Sequence, residues 1–450
     1  MSNNNLDHSS TNDSLFAAKR LEKFRALVKH ANTKSPYYRQ LIADRGIDPQ
    51  TCVPKDFPVL TKSLLMANFD AIVTNPKITK QIIADFLTRS TDPKERLFNR
   101  YTVLHTSGTS GEVGYFLTDW RDALRTSGSF SGYRKGRQPD GHRSPYRDFR
   151  LPRMAFYGAT GGHYAGVTMM ARMQRGIARL LVNAESFEIN SPLASVVTQL
   201  NAFQPDILFG YTTGLKILAE QQRAGSLHIR PRRLLASGET VTKDDIEYLS
   251  AAFGDIPVLS LYACTEHMMM GHSNPDNETM TLNDTNLIFE FFEDHSLVTN
   301  LFNYTMPLIR YRMSDILKPI SAPGEHPIIV ENLVGRSEQM PSFKAADGSS
   351  DFISPHTINE VFVKGVVRFQ MQVTSDTSFR FPVCVETGLS PEQRSQVVAG
   401  VTARLTEILE QKGLGNVCFE VPIVEDIPVN PITRKFQLIV NARPASISPV

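Results

Sequence analysis

Short apolar runs alternate with longer helical patterns between about Leu104 and Val334, and that rhythm constrains the fold more than any other feature of the chain. Ile207-Leu208-Phe209, Arg233-Leu234-Leu235-Ala236 and Val258-Leu259-Ser260-Leu261-Tyr262 read as strands. The helical stretch between the last two is marked at its start. Thr242 with Asp245 three residues on forms a capping-box pattern, and Ile246, Leu249 and Phe253 then share one side. Alternating strands and helices predict an α/β layer fold with ligands gathered at the carboxyl ends of strands.

The chain changes character after Arg336. Val367, Phe369, Met371 and Val373 alternate with polar residues, as do Phe379, Phe381, Val383 and Val385, and later Val417, Phe419 and Val421. That period describes one-sided strands. Between the second and third sets, Ser390-Pro391 with Gln393 opens a helix carrying Val397, Val401, Leu405 and Ile408, which closes near Gly413. The organisation expected is a disordered leader over 1–14, a large multi-layer α/β N-terminal domain over 15–335 and a small α+β C-terminal domain over 336–450, with the joint at Gly335-Arg336-Ser337. In the first helix, Leu21, Phe24, Leu27 and Val28 mark an amphipathic surface helix.

Composition narrows the function classes. A chain of 450 residues buries several cores without disulfides or structural metals. Its 48 basic residues against 46 acidic ones give a net charge of +2, too little for a global field that holds nucleic acid. Cys52, Cys264, Cys384 and Cys418 form no Cys-x-x-Cys pair and read as free thiols in a reducing compartment. The amino terminus lacks a signal-peptide pattern, and no run reaches the roughly 18 apolar residues of a membrane span. The expectation is a soluble cytoplasmic protein with neither nucleic acid nor membrane as partner.

Five segments carry groups suited to chemistry, and each has a bland reading beside it. His105-Thr106-Ser107-Gly108-Thr109-Ser110-Gly111 follows an apolar run and combines glycines with hydroxyls, which lets backbone and side-chain donors approach phosphate; it also suits a surface turn. No Gly-Lys-Ser/Thr follows, so it is not a Walker loop. Tyr262-Ala263-Cys264-Thr265-Glu266 ends a strand with an aromatic face, a hydroxyl and a carboxylate for Mg²⁺, or is simply a strand entering a loop. Ser237-Gly238-Glu239 ends another strand as a glycine turn. Asp315, after Arg310-Tyr311-Arg312, can accept from a ribose diol, cap a helix, or pair with Arg310 or Arg312. Ile432-Thr433-Arg434-Lys435-Phe436 reads as a solvated basic turn.

Taken in order, these segments with Gly335-Arg336-Ser337 and a terminal lysine resemble the adenylate-forming superfamily. Within it the chain looks like the phenylacetate–coenzyme A ligase branch, with its CapK-like members. Ser35-Pro36-Tyr37-Tyr38-Arg39, Pro58-Val59-Leu60-Thr61-Lys62 and Val334-Gly335-Arg336-Ser337 add to the match, which runs from about Leu15 to Val440.

The resemblance implies ATP-dependent activation of a carboxylic acid to an acyl adenylate, followed by transfer to a thiol, usually coenzyme A. It puts Thr106, Ser107, Gly108, Thr109, Ser110 and Gly111 around the phosphates, with Ser237, Gly238 and Glu239 beside adenine and Tyr262 stacked on it. Thr265 would touch the α-phosphate, Glu266 hold Mg²⁺, Asp315 grip the ribose and Arg336 contact the nucleotide near the hinge. Lys435, on a mobile small domain, would reach the reacting carboxylate. The segment from Phe156 to Tyr164, with Phe156, Tyr157, Gly158, Gly162 and His163, resembles the stretch lining the acid site in relatives, and aromatic walls with glycine spaces suit an aryl or arylacetic acid.

Three readings stay open beside the ligase. The acceptor could be a carrier-protein thiol, an amine or a hydroxyl. The chain could be a non-catalytic nucleotide-binding homologue. It could pair as a homodimer, as some relatives do. The sequence departs from the family at Glu112, an acid after the glycine loop, and at Cys264. His267 and His272 fall where some relatives bind zinc, but further ligands are not evident, so no structural zinc is expected.

Overall fold

The computed structural model describes residues 4–106, 113–126, 150–239, 241–274, 278–293, 295–313, 315, 317–331, 341–353, 357–358, 361, 363, 365–427 and 438–442. The first helix runs Asn4–Lys34, so residues 4–14 of the segment expected as a disordered leader belong to it. The reason is local: no glycine or proline interrupts the chain before Pro36. Phe24, Leu27 and Val28 are fully buried along its inner side.

Among the described residues, thirteen strands follow in the large domain. A hairpin is formed by β1 (Thr102–His105) and β2 (Tyr115–Thr118). The main sheet draws on β3 (Arg153–Gly158), β4 (Asn183–Glu188), β5 (Ile207–Tyr211), β6 (Arg233–Ser237), β7 (Val258–Cys264), β8 (Met268–Ser273) and β9 (Thr279–Leu282). Next come β10 (Leu287–Phe291), β11 (Ser296–Asn300), β12 (Tyr311–Met313) and β13 (Ile329–Glu331). The main sheet has the order β13-β9-β8-β7-β6-β5-β3-β4, while β10, β11 and β12 make a separate antiparallel sheet.

From β4 to β7 the neighbours are parallel, and from β7 through β8 and β9 to β13 they are antiparallel. The parallel half follows from the alternation read in the sequence, since each crossover carries a helix: Leu193–Phe203, Thr212–Arg223 or Lys243–Ala252. The last of these starts with the full Thr242–Asp245 capping box, and Ile246, Leu249 and Phe253 are buried against the sheet.

Two cores support this domain. One gathers Met154 through Leu261 around the parallel strands, joined by Phe352 from further along the chain. The other combines residues between Phe24 and Leu117 with residues between Tyr262 and Val330.

A third core, from Phe343 to Ile439, defines the small domain. Its strands are β14 (Ser342–Lys344), β15 (Ser350–Phe352), β16 (Val366–Phe369), β17 (Met371–Ser375), β18 (Ser378–Arg380), β19 (Val383–Val385), β20 (Cys418–Glu420) and β21 (Ile439–Asn441). The helix Pro391–Gln411 is capped by Ser390 and Gln393 and buries Val397, Val401, Leu405 and Ile408, as its sequence predicts. One alternation differs from expectation. A register shift between Val366 and Arg368 breaks the first run, so Val366 is buried and Val367 turns out to 42% exposure. The expected joint at Gly335-Arg336-Ser337 lies outside the described residues.

Candidate active site

The carboxyl ends of β3, β5, β6 and β7 lie at the same end of the main sheet, and of the segments with chemical promise those at Gly158, Ser237–Glu239 and Tyr262–Glu266 lie there. Register aligns Tyr211 with Ser237 and Ser237 with Leu261, so the Ser-Gly-Glu turn and the Tyr262 segment are neighbours. The Ser237 hydroxyl donates to the Leu261 carbonyl over 3.0 Å. Gly238 has φ +80°, and a methyl group added there would meet the Tyr211 ring at 2.8 Å. Glycine is needed on both counts. Gly158 approaches the same ring from β3, where an added methyl group would lie 3.0 Å from it. Glu239 accepts from the backbone N–H of Thr213 at 2.8 Å and from its hydroxyl at 2.7 Å, which fixes the carboxylate over the first turn of helix Thr212–Arg223.

Beside this turn, Tyr262 donates its phenolic hydrogen to Asp315 Oδ2 at 2.7 Å. Burial, followed by the Asp315 charge, pushes the phenol pKa far up, so the group stays a donor. The Asp315 carbonyl in turn accepts from Ser296 Oγ at 3.0 Å, which anchors the residue to β11. Arg310 does not pair with Asp315. Its guanidinium is engaged by Glu290 at 2.8 and 2.9 Å and by the Phe57 carbonyl at 2.7 Å.

Lys62, to which the sequence reading gives no role, enters the same corner. Thr61 caps the helix Lys62–Ala67, and Leu60 is bonded through its N–H and carbonyl to Arg310 and Arg312 at 3.0 and 2.9 Å. The segment is thereby stitched alongside β12. From there the Lys62 ammonium donates to Thr106 Oγ1 at 3.1 Å, and the same oxygen accepts from the Gly114 N–H at 2.9 Å. Thr106 and Gly114 also share a backbone bond of 2.9 Å, closing the base of the Ser/Thr/Gly loop. The Pro-Val-Leu-Thr-Lys match is the signal that could have found this lysine. Its partner is 44 residues away, so spacing alone gives no hint of it.

Thr265 and Glu266 form the turn between β7 and β8, both half-buried. Burial raises the Glu266 pKa above the usual carboxylate range, and Lys62 opposes the rise. An enclosed carboxylate favours a cation beside it. Among the described residues no group of three or more His, Cys, Asp or Glu side chains could hold a metal by itself. Glu266 therefore fits a hard divalent cation that takes its remaining oxygens from a bound phosphate. Next to it, His267 is fully buried with neither ring nitrogen bonded among the described residues, and burial lowers its pKa to about 3. Burial likewise drives the Cys264 thiol well above its ordinary value.

The segment expected to line an acid pocket is more enclosed than the sequence implies. Phe156 and Tyr157 are both completely buried in the core. Phe156 packs on Phe209 with ring centres 4.9 Å apart, and Tyr157 packs against Gly214 of the neighbouring helix. The cause is the position of β3 between β4 and β5, with layers on both faces of the sheet. Their rings touch core neighbours, so open aromatic walls must come from elsewhere. Gly162 holds φ +79° and bonds through its N–H to the Thr91 carbonyl at 2.8 Å. His163 is buried against Phe86, with Nε2 3.4 Å from Ser90 Oγ and Nδ1 unpartnered among the described residues. Half-buried Tyr164 faces His105 with ring centres 4.6 Å apart.

The structure thus brings Thr106, Tyr262, Glu266 and Asp315 together, with Gly158, Ser237, Gly238 and Glu239 on adjoining strand ends. Ser107, Gly108, Thr109, Ser110, Gly111, Glu112, Arg336 and Lys435 lie outside the described residues.

Comparison with known proteins yields the fold. No protein-family model matches the chain. It is 21% identical to protein CapK of Staphylococcus aureus over 350 residues, 70% of this chain and 67% of that protein. Among solved structures it resembles 2-hydroxyisobutyryl-CoA ligase in complex with 2-HIB-AMP and CoA in the thioesterification state, with a TM-score of 0.57 and 17% identity over 97% of this chain and 90% of that one. The postadenylation state of the same ligase, holding R3-HIB-AMP, gives a TM-score of 0.52 at 15% identity over 94% and 88%. Its open conformation with 2-HIB-AMP and CoA gives 0.50 at 16% identity over 94% and 90%. The chain has the fold of AMP-forming acyl-CoA ligases, with a large N-terminal and a small C-terminal domain. Among the described residues no helix is long and apolar enough to cross a membrane.

Proposed function

We propose that this protein activates a carboxylic acid with ATP, releasing pyrophosphate, and passes the acyl group from its adenylate to a thiol, that of coenzyme A. The observation that carries the reading is the meeting of the Tyr262–Asp315 pair with the Lys62–Thr106 pair around Glu266. One pair suits a nucleoside and the other a phosphate chain, and the carboxylate between them suits the cation such a chain carries. The adenylate and coenzyme A bound by the ligase of similar fold support the same order of events.

In this scheme Tyr262 presents its ring to adenine, and the Asp315 carboxylate accepts from the ribose hydroxyls. Thr106 anchors the loop whose residues Ser107, Gly108, Thr109, Ser110 and Gly111 donate to the phosphates. Ser237, Gly238 and Glu239 form the adenine side, and Arg336 contacts the nucleotide. Thr265 donates to the α-phosphate. Glu266 holds Mg²⁺, which supplies positive charge for the departing pyrophosphate. Lys62 adds a fixed positive charge on the same side, and Lys435 reaches the acid and α-phosphate. No protein nucleophile is required, because the substrate carboxylate attacks directly. Enclosure of the site protects the resulting mixed anhydride from water.

The acid belongs beside the Thr160–Tyr164 segment, where half-buried Tyr164 and His105 face each other. His105 and Tyr164 are the aromatic groups that support an aryl or arylacetic acid, as in phenylacetate–coenzyme A ligases. Acid-dependent ATP–pyrophosphate exchange over a broad acid library tests reaction and substrate together. Exchange with aryl acids and AMP release on adding coenzyme A are expected. Exchange with only long-chain fatty acids would reject the aryl assignment, and ATP binding without exchange for any acid would favour a non-catalytic homologue. Lys435→Ala is expected to slow exchange far more than it weakens ATP binding, since its charge acts in the transition state.

A further inference from the structure

The small domain carries a fully enclosed ammonium pointed at the large one. Lys412 follows the last turn of helix Pro391–Gln411, and its side chain is 1% exposed. Its Nζ lies 2.9 Å from Asp351 Oδ1, 2.9 Å from the Ile189 carbonyl and 3.3 Å from the Ser191 carbonyl, and 4.4 Å from the centre of the Phe352 ring. All three hydrogens of the ammonium find oxygen, and two of the acceptors belong to the loop that leaves β4 of the large domain. Asp351 crosses the same joint, its Oδ2 accepting from the Leu193 N–H at 3.2 Å. Thr357 adds a buried hydroxyl bond to Asn190 at 2.8 Å. Phe352 sits in the large domain's core while its neighbour Ile353 sits in the small domain's core.

The loop that receives Lys412 also shapes the candidate acid segment. Glu188, one residue before Ile189, accepts from the backbone N–H of Thr160 at 2.8 Å and from the Thr160 hydroxyl, and from the Asn190 N–H at 2.9 Å. A single run, Glu188 to Ser191, is therefore held by the glycine-rich segment on one side and by the small domain on the other.

We propose that Lys412 is a positioning residue, a charged latch that holds the small domain against the β4 exit loop in the orientation of this structure and must leave that loop when the domain turns. The latch favours one orientation because its bonds are made only there: turned away, the ammonium and Asp351 stay together on the small domain, but the ammonium loses the Ile189 and Ser191 carbonyls and Asp351 loses the Leu193 N–H. Removing the charge frees the domain without touching a group assigned to the nucleotide. This inference rests on the proposed two-step reaction only for its effect on rates, and the orientation can be measured without turnover.

The test places one spin label on Cys418, the exposed cysteine of the small domain, and another on Glu247→Cys, exposed on helix Lys243–Ala252. Pulsed dipolar distances are compared in the otherwise unchanged full chain and in Lys412→Met. The latch predicts a narrow distribution in the former and a broadened or two-population distribution in the latter. Superimposable distributions would overturn it. If Lys412→Met fails to fold because Asp351 is left buried without its partner, Lys412→Met with Asp351→Asn removes both charges and carries the same expectation. A rate readout separates positioning from general damage: the ratio of adenylate formation to thioester formation from supplied acyl adenylate should change about fivefold or more. Equal losses in both half-reactions would count against the latch. A wild-type protein that exchanges pyrophosphate with no acid would sink the proposed function, and the distances would still decide the latch.

Discussion

Tyr262 and Asp315, 53 residues apart in sequence, are joined by a 2.7 Å hydrogen bond from phenol to carboxylate. The bond leaves the ring of Tyr262 fixed at the end of β7 and orients one oxygen of Asp315, so the second oxygen is the one a ribose diol would meet first. Tyr262→Phe keeps the ring and deletes only this bond. A hydrogen bond to a charged acceptor contributes about 1.5–3 kcal/mol, so the KM for ATP should rise about ten- to a hundredfold with a smaller change in kcat. Steady-state exchange kinetics check it, and an unchanged KM would remove the pair from the nucleotide site.

Lys62 is the one described ammonium shown to reach both the Thr106 loop and the field of Glu266. Lys62→Met preserves the length and apolar stem while removing the charge. Adenylation should fall by about a hundredfold, the scale for losing one preorganised positive group at a phosphoryl centre. Lys62→Arg should recover part of that loss, and full activity in Lys62→Met would exclude the residue from catalysis.

Glu266 predicts a pH dependence with a definite sign. Its pKa in the folded protein is raised above the ordinary 4.5, chiefly by burial. The protonated form is thus favoured by folding. Its contribution to stability is complete below 4.5 and is lost as pH rises through the raised value. In the protein without nucleotide, Glu266→Gln should therefore raise the melting temperature at neutral pH relative to wild type while abolishing exchange. In wild type, raising Mg²⁺ at fixed ATP should shift the acid limb of the exchange profile to lower pH, because metal and proton compete for the carboxylate. Thermal melts at pH 5 and pH 8 with and without Mg²⁺-ATP provide the check.

Gly238 combines a positive φ with a ring 2.8 Å from where a methyl group would stand. Gly238→Ala should cost about 1–3 kcal/mol, from backbone strain plus displacement of Tyr211. Urea unfolding measures the cost.

What the sequence made legible was chiefly what is local. The Thr242–Asp245 and Ser390–Gln393 caps each lie within four residues, so their polar pairs and apolar stripes could be read directly. Tyr262 and Asp315 could be matched to a family pattern one at a time, yet their mutual bond depends on how two separate sheets bring β7 and the residue beyond β12 together. Lys62 was hidden for a similar reason, since its reach to Thr106 depends on Leu60 being stitched to Arg310 and Arg312. Phe156 and Tyr157 misled because an aromatic on a strand looks the same whether it faces a ligand or a helix. Only the placement of β3 inside the sheet decides between them. Val367 misled because one bulge reverses the facing of residues beyond it.

The two cores of the large domain also differ in when they can form as the chain leaves the ribosome. The core from Met154 to Leu261 is nearly contiguous and can condense once those strands and helices have emerged. The other needs Phe24 and its neighbours to wait for partners as distant as Val330. The lysine-bearing segment at 62 and the carboxylates at 266 and 315 meet only when that late core closes, so this corner is among the last parts of the large domain to be completed during synthesis.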